Sequence, residues 1–154
     1  MVRKISDFQP RRATVIEAKA NRRHWFDRGT LNPHDQFHSW AKEVAADVVG
    51  GFLTCEAVIS EAVFMVRKSS KAKAAIIAMI ESGWLKIVPV LPEMRVGVIR
   101  ILESYHPQAD YADACVVALH EQFGGKVYTT DQRDFLVYRT RAELMVETSM
   151  PDPA

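Results

Sequence analysis

Short β-branched or apolar runs recur along this chain, and the stretch between each pair carries apolar residues at helical spacing. No other feature limits the possible folds as much. Ala13-Thr14-Val15-Ile16 reads as a first strand. Asn32-Pro33 reads as the N-cap and first position of a helix, with Phe37, Trp40, Ala41, Val44, Ala45 and Val48 on one stripe until Gly50-Gly51 stops it. Phe52-Leu53 follows as a strand, and Thr54 is placed to cap a helix running to about Lys68. Ser70 opens another helix, with Ala72, Ala75, Ile76, Met79 and Ile80 on its stripe and Gly83 at its end. Residues 84–90 read as a buried strand, and Pro92 as the start of a helix carrying Met94, Val98, Ile101, Leu102 and Tyr105 on one face. A helix over 110–123 ends at Gly124-Gly125, followed by strands over 126–130 and 143–148. Residues 21–30, polar and basic around Trp25 and Phe26, fit no element. The alternation predicts an α/β fold, a three-layer α/β/α sandwich with a mostly parallel central sheet. One domain is expected over residues 1–148, with a flexible tail over 149–154. In such sheets ligands sit outside the carboxyl ends of the strands, so chemistry should be sought just past each strand.

The 154 residues suffice for one packed core without staples. A net charge of +1 excludes a nucleic-acid binder held by its overall field. Contacts to nucleic acid would have to use local patches such as Arg11-Arg12, Arg22-Arg23 or the run from Arg67-Lys68 to Lys73, each of which alone reads as solvated surface charge. No apolar run approaches the ~20 residues of a membrane span. Residues 1–12 hold no apolar stretch, so no secretory signal is expected. Cys55 and Cys115 lie in apolar stretches and in no C-x-x-C pair, which favours a reducing cytoplasm. The sequence leaves a bridge between them open.

Three carboxylates stand where apolar residues or turns are expected. Glu61 falls within the stripe of Ala57, Val58, Ala62 and Met65, a costly place for a charge that nothing compensates. Asp113 shares a helix face with Val116, Val117 and His120, one turn after Asp110. Asp131 directly follows the strand over 126–130, with Asp134 three residues on. Each has a plain structural alternative: a boundary residue paired with a cation for Glu61, helix capping for Asp110 and Asp113, a turn for Asp131. Should Glu61, Asp113 and Asp131 converge, their repulsion would be large, since two carboxylates at 4 Å cost about 4 kcal/mol at an effective dielectric near 20. A hard divalent cation relieves that, and an all-oxygen ligand set suits Mg²⁺ or Mn²⁺. A site of that kind activates water and stabilises phosphoryl oxygens in phosphodiester hydrolysis.

These residues also form motifs. The segment Leu53-Thr54-Cys55-Glu56-Ala57-Val58-Ile59-Ser60-Glu61 resembles the region after the second strand in PIN-domain proteins, with Glu61 at the acid position. Tyr111-Ala112-Asp113-Ala114-Cys115-Val116-Val117-Ala118 resembles the family's D-A-x-x-x-A helix, with Asp113 as its acid and Asp110 as an extra acid common in one subgroup. Val127-Tyr128-Thr129-Thr130-Asp131-Gln132-Arg133-Asp134-Phe135 resembles its strand followed by T-[DN]-x-x-D-F, with Asp131 as the fourth acid. The resemblance spans roughly residues 32–140. It implies a VapC-like toxin ribonuclease of a toxin–antitoxin pair. Glu61, Asp113 and Asp131 would hold Mg²⁺ or Mn²⁺, and Thr130 and Asp134 would support them. The implied partners are RNA, a small antitoxin and a second copy of the chain, with no membrane. The chain departs from the family at the first acid, where an Asp usually follows strand one. Here Glu17 stands nearest, in Val15-Ile16-Glu17-Ala18, and Asp27 is the next candidate. Either Glu17 substitutes, or the site is incomplete, or this segment has changed from an active ancestor.

Other patterns lead nowhere. His34 and His38 stand at zinc-binding spacing but lack a third ligand, and His120 reads as a partly buried histidine. No P-loop, G-x-G-x-x-G or G-x-S-x-G is present. Two function classes remain: a metal-dependent endoribonuclease, and a PIN-fold protein that binds RNA or a partner without cleaving.

Overall fold

The computed structural model describes residues 14–16, 38–48 and 50–151. Among these, β1 (Thr14–Ile16), β2 (Phe52–Thr54), β3 (Leu85–Ile87), β4 (Lys126–Tyr128) and β5 (Thr148–Ser149) form one sheet in the order β3-β2-β1-β4-β5. Every pairing is parallel, with Val15 opposite Leu53 on one side and Val127 on the other. The connecting helices are α1 (His38–Asp47), α2 (Glu56–Met65), α3 (Ser70–Glu81), α4 (Arg95–Ser104), α5 (Tyr111–Phe123) and the short α6 (Gln132–Phe135). Parallel strands need crossovers, and right-handed ones in a sheet whose strand order reverses put helices on both faces. The result is the three-layer α/β sandwich that the alternation predicts. The chain leaves β1 towards β2 and later returns to β1's other side as β4. That reversal makes the carboxyl ends of β1 and β4 the topological switch point, where sheets of this kind bind their ligands.

The core forms around α5. Residues 112–119 are all buried, because this helix packs on β1 and β4 and against both α4 and α2. A helix apolar on every side belongs in the middle of a core. The outer helices bury narrower stripes: Val58 and Ala62 on α2, Ala72 and Ile76 on α3, Val98 and Ile101 on α4. In β2, Phe52 is fully buried, with edge-on contacts to Trp84 at 4.7 Å and Tyr128 at 5.6 Å between ring centroids. Gly51 makes the lead into β2 possible: at φ +82° any Cβ there would stand 2.2 Å from the Trp84 carbonyl oxygen. Among the described residues no helix is long and apolar enough to cross a membrane.

Several element boundaries differ from expectation. Cys55, not Thr54, is the N-cap of α2, because Thr54 still pairs within β2. That helix ends at Met65 rather than Lys68, where Arg67 N bonds to Phe64 O in a tighter turn. Ser69, not Ser70, caps α3 by accepting from Ala72 N. The strand expected over 84–90 narrows to β3, since Pro89 has no N–H for the ladder, although Val88 and Val90 stay buried. Pro92 belongs to a turn in which Met94 N donates to Val90 O, so α4 begins only at Arg95. The final strand is β5, which shares only Thr148 with the expected 143–148, because the chain first turns back through an Arg139–Met145 bridge. Ser149 pairs with Tyr128 and Pro151 is buried, so the packed structure extends into the expected tail. The predicted start of the first helix at Asn32-Pro33 lies outside the described residues, as do Glu17, Asp27 and His34.

Candidate active site at the carboxyl edge of the sheet

The helix α5 leads into β4 and runs against its direction, which brings its N-terminus to the carboxyl edge of the sheet. Asp110 caps it: the side chain accepts a 2.9 Å bond from Asp113 N. The Asp113 side chain is therefore held in the first turn, where the helix dipole favours an anion. Asp113 is 0% exposed. Tyr138 donates its hydroxyl to Asp113 Oδ2 at 2.7 Å. Tyr138 is itself fully buried, with its ring edge-on to Tyr105 at 5.1 Å and to Phe135 at 5.3 Å. Burial, then the hydrogen bond to Asp113, then the negative charges of Asp113, Asp134 and Asp110 push the Tyr138 pKa upward. The hydroxyl thus keeps its proton and serves as a donor to the carboxylate.

The exit from β4 supplies the second group. Thr129 is buried, and its Oγ1 accepts a 2.9 Å bond from Asp131 N. Asp131 caps α6, its Oδ1 accepting from Asp134 N at 3.1 Å. The Asp134 carbonyl in turn accepts from Val137 N and Tyr138 N. One tight stretch of chain therefore carries Asp131 at one end and Tyr138 at the other. Tyr105 OH accepts from Arg139 N at 2.9 Å and ties that stretch to the end of α4.

Glu61 comes from α2, which packs against α5. Its residue is half-buried and its Oε2 is buried. At the start of α2, the Cys55 thiol meets that of Cys115 from α5 in a hydrogen bond, and the two are not bridged. They line a cavity of about 190 Å³ together with Pro89, Val90, Leu91 and Tyr111. The hydrogen bond from Cys115 lowers the Cys55 pKa, and the same bond, then burial, raises that of Cys115. Burial, then a bond with Cys115, pushes Tyr111 up to about 12.

Of the acids, Asp113 is bonded to the Tyr138 hydroxyl, which also feels the charges of Asp134 and Asp110, and Asp131 is bonded to Asp134 N. Among the described residues no three His, Cys, Asp or Glu side chains stand together as a metal-holding group. The donor chemistry still suits a hard cation, being carboxylate oxygen throughout. Thr129, not Thr130, makes the hydrogen bond that shapes the Asp131 turn; its position two residues before Asp131 is the spacing of a hydroxyl turn, a signal that the sequence did carry. Tyr138 was not singled out in the sequence. His120 is half-buried and bonds through Nδ1 to Gly125 O, about 10 Å along the helix from Asp113, which supports packing over substrate contact. At that far end Arg100 pairs with Glu121. A cavity of about 650 Å³ opens there, lined by Glu93, Met94, Gly97, His120, Glu121 and Arg141. The basic run Arg67, Lys68, Lys71 and Lys73 is exposed, as solvated charge should be.

The fold is a parallel α/β sheet whose strand order reverses at β1, and Asp113 and Asp131 stand at the helix start and strand end on its carboxyl side. No family model matches the chain, and no curated protein sequence matches it. In structure it is similar to Mycobacterium tuberculosis VapC20, a Sarcin-Ricin loop cleaving toxin, with a TM-score of 0.60. The match covers 79% of this chain and 92% of that one at 19% identity. The chain therefore has the PIN fold of the VapC toxins, as the sequence motifs imply.

Proposed function

We propose that this protein is a Mg²⁺- or Mn²⁺-dependent endoribonuclease, the toxin of a toxin–antitoxin pair. The observation that carries the reading is Asp113, a fully buried aspartate at the start of the central helix and at the edge where α/β sheets bind ligands. A carboxylate held there by the Tyr138 hydroxyl and the first turn of α5 is at the place where a ligand of the sheet would meet it. Asp113, Asp131 and Glu61 would hold the cation directly or through water, and Asp110, Asp134 and Thr130 would support them. Glu17, directly after β1 in the sequence, would complete the set from the other side of the switch point. When bound, the cation supplies a lowered water pKa and stabilises charge on phosphoryl oxygen. The protein's part is to fix those oxygens and exclude competing cations. The likeness to VapC20 supports RNA as the substrate, with a sarcin–ricin loop hairpin as the first RNA to try. A small antitoxin as inhibitor, pairing with a second copy and a cytoplasmic location belong to the same proposal.

Labelled hairpin and unrelated structured RNAs should be incubated with purified protein in Mg²⁺, Mn²⁺ or EDTA, beside Asp113→Asn. The account expects cleavage that needs the cation and is lost in the variant. The second reading, a PIN-fold protein that binds without cleaving, rests on the departure at Glu17. Tight RNA binding without cleavage of any RNA, by folded protein in either cation, would establish it in place of the first.

A further inference from the structure

The segment after β4 does more than carry Asp131. Its eight residues from Asp131 to Tyr138 close on themselves. Asp131 Oδ1 accepts from Asp134 N, and Asp134 O accepts from Tyr138 N at 3.3 Å. The far end is then fastened twice, by the Tyr138 hydroxyl to Asp113 on α5 and by Arg139 N to the Tyr105 hydroxyl on α4. The two tyrosines pack edge-on and are chemically alike, yet only Tyr138 touches a carboxylate of the candidate site. Its contact spans 25 residues of sequence and joins the two elements that carry the acids.

We propose that Tyr138 is a positioning residue that fixes the Asp113 carboxylate relative to Asp131, and thereby sets the affinity of the site for a divalent cation. The proposal rests on the reading of Asp113 as a metal ligand. A carboxylate in contact with a cation gains from a donor on its second oxygen, which selects one rotamer and restricts how it can coordinate. Removing such outer partners weakens metal binding by about 10- to 100-fold in known sites. The ring contacts with Tyr105 and Phe135 would survive loss of the hydroxyl, so Tyr138→Phe separates positioning from packing.

The test is Mn²⁺ affinity, read from the free-ion electron paramagnetic resonance signal at fixed pH, with Tm of the metal-free protein measured alongside. The expected result is a Kd weakened ~10-fold in Tyr138→Phe, lost in Asp113→Asn and unchanged in Tyr105→Phe. Unchanged affinity in Tyr138→Phe overturns the proposal and leaves the metal site standing. Equal weakening in Tyr105→Phe also overturns it, since general loosening would then account for both. Wild-type protein that binds no Mn²⁺ removes the metal reading and this proposal together. Should Tyr138→Phe fail to fold, wild-type protein labelled with 3-fluorotyrosine tests the placement of bound Mn²⁺ beside Tyr138, which the proposal requires. Of its 4 tyrosine resonances, that of Tyr138 should be broadened first by Mn²⁺, and a Tyr138 resonance untouched by bound Mn²⁺ contradicts the placement.

Discussion

The two ends of α5 each hold a carboxylate out of bulk water, and they hold it by different means. At the C-terminal end Glu121 lies against the Arg100 guanidinium, with 15% and 26% of the two side chains exposed, and its Oε1 also accepts from Arg141 N. At the N-terminal end Asp113 is wholly buried, and its described side-chain donor is the neutral hydroxyl of Tyr138, with Asp110 and Asp134 close by. A guanidinium cancels the charge of its partner. A hydroxyl orients a carboxylate and leaves the charge in place. The first arrangement fastens α4 and the 139–141 turn to α5. The second fastens the end of the 131–138 stretch to the start of α5.

The comparison breaks most visibly at Asp113. Asp113→Asn keeps an oxygen for the Tyr138 hydroxyl and should stay folded, while RNA cleavage drops on the order of 10²- to 10³-fold, as when one charge-stabilising group is removed from an active site. An active Asp113→Asn protein would dissolve the distinction between the ends. Glu121→Ala should do the reverse. It separates the ion pair and strands Arg100, whose Nε is already buried, so urea unfolding should report a loss of about 2 kcal/mol, less than a fully buried pair because both partners reach solvent. Its cleavage rate, measured where both proteins are folded, should match wild type. The smallest effect separates capping from chemistry at Asp110. Asp110→Ala should lose about 1 kcal/mol of stability with the cap, and Asp110→Asn should retain it. A fall in cleavage in the stable Asp110→Asn protein would add Asp110 to the ligands.

Much of this was legible in the sequence for a local reason. Strands and helices announce themselves by period, and Asp113 and Asp131 sit at fixed offsets from a helix start and a strand end. Asp110 as N-cap follows from the same rule. What the sequence concealed is contact across the chain. Tyr138 ends the short apolar run Phe135-Leu136-Val137-Tyr138, and nothing local says that its hydroxyl reaches a helix 25 residues earlier. The two cysteines are 60 positions apart, counted from Cys55 to Cys115, and their meeting follows from α2 packing on α5. Boundaries slipped where neighbours compete for one role, as with Ser69 and Ser70, or where Pro92 suits a turn as well as a first helical position.

The central claim is that a divalent cation binds at the Asp113 end of α5. Crystals grown with Mn²⁺ and measured for its anomalous scattering test it most directly. The account predicts a peak about 2.1 Å from an Asp113 carboxylate oxygen, at the switch point between the ends of β1 and β4. A peak only in the cavity lined by Glu93, His120 and Glu121, or no peak near Asp113 at saturating Mn²⁺, would contradict it.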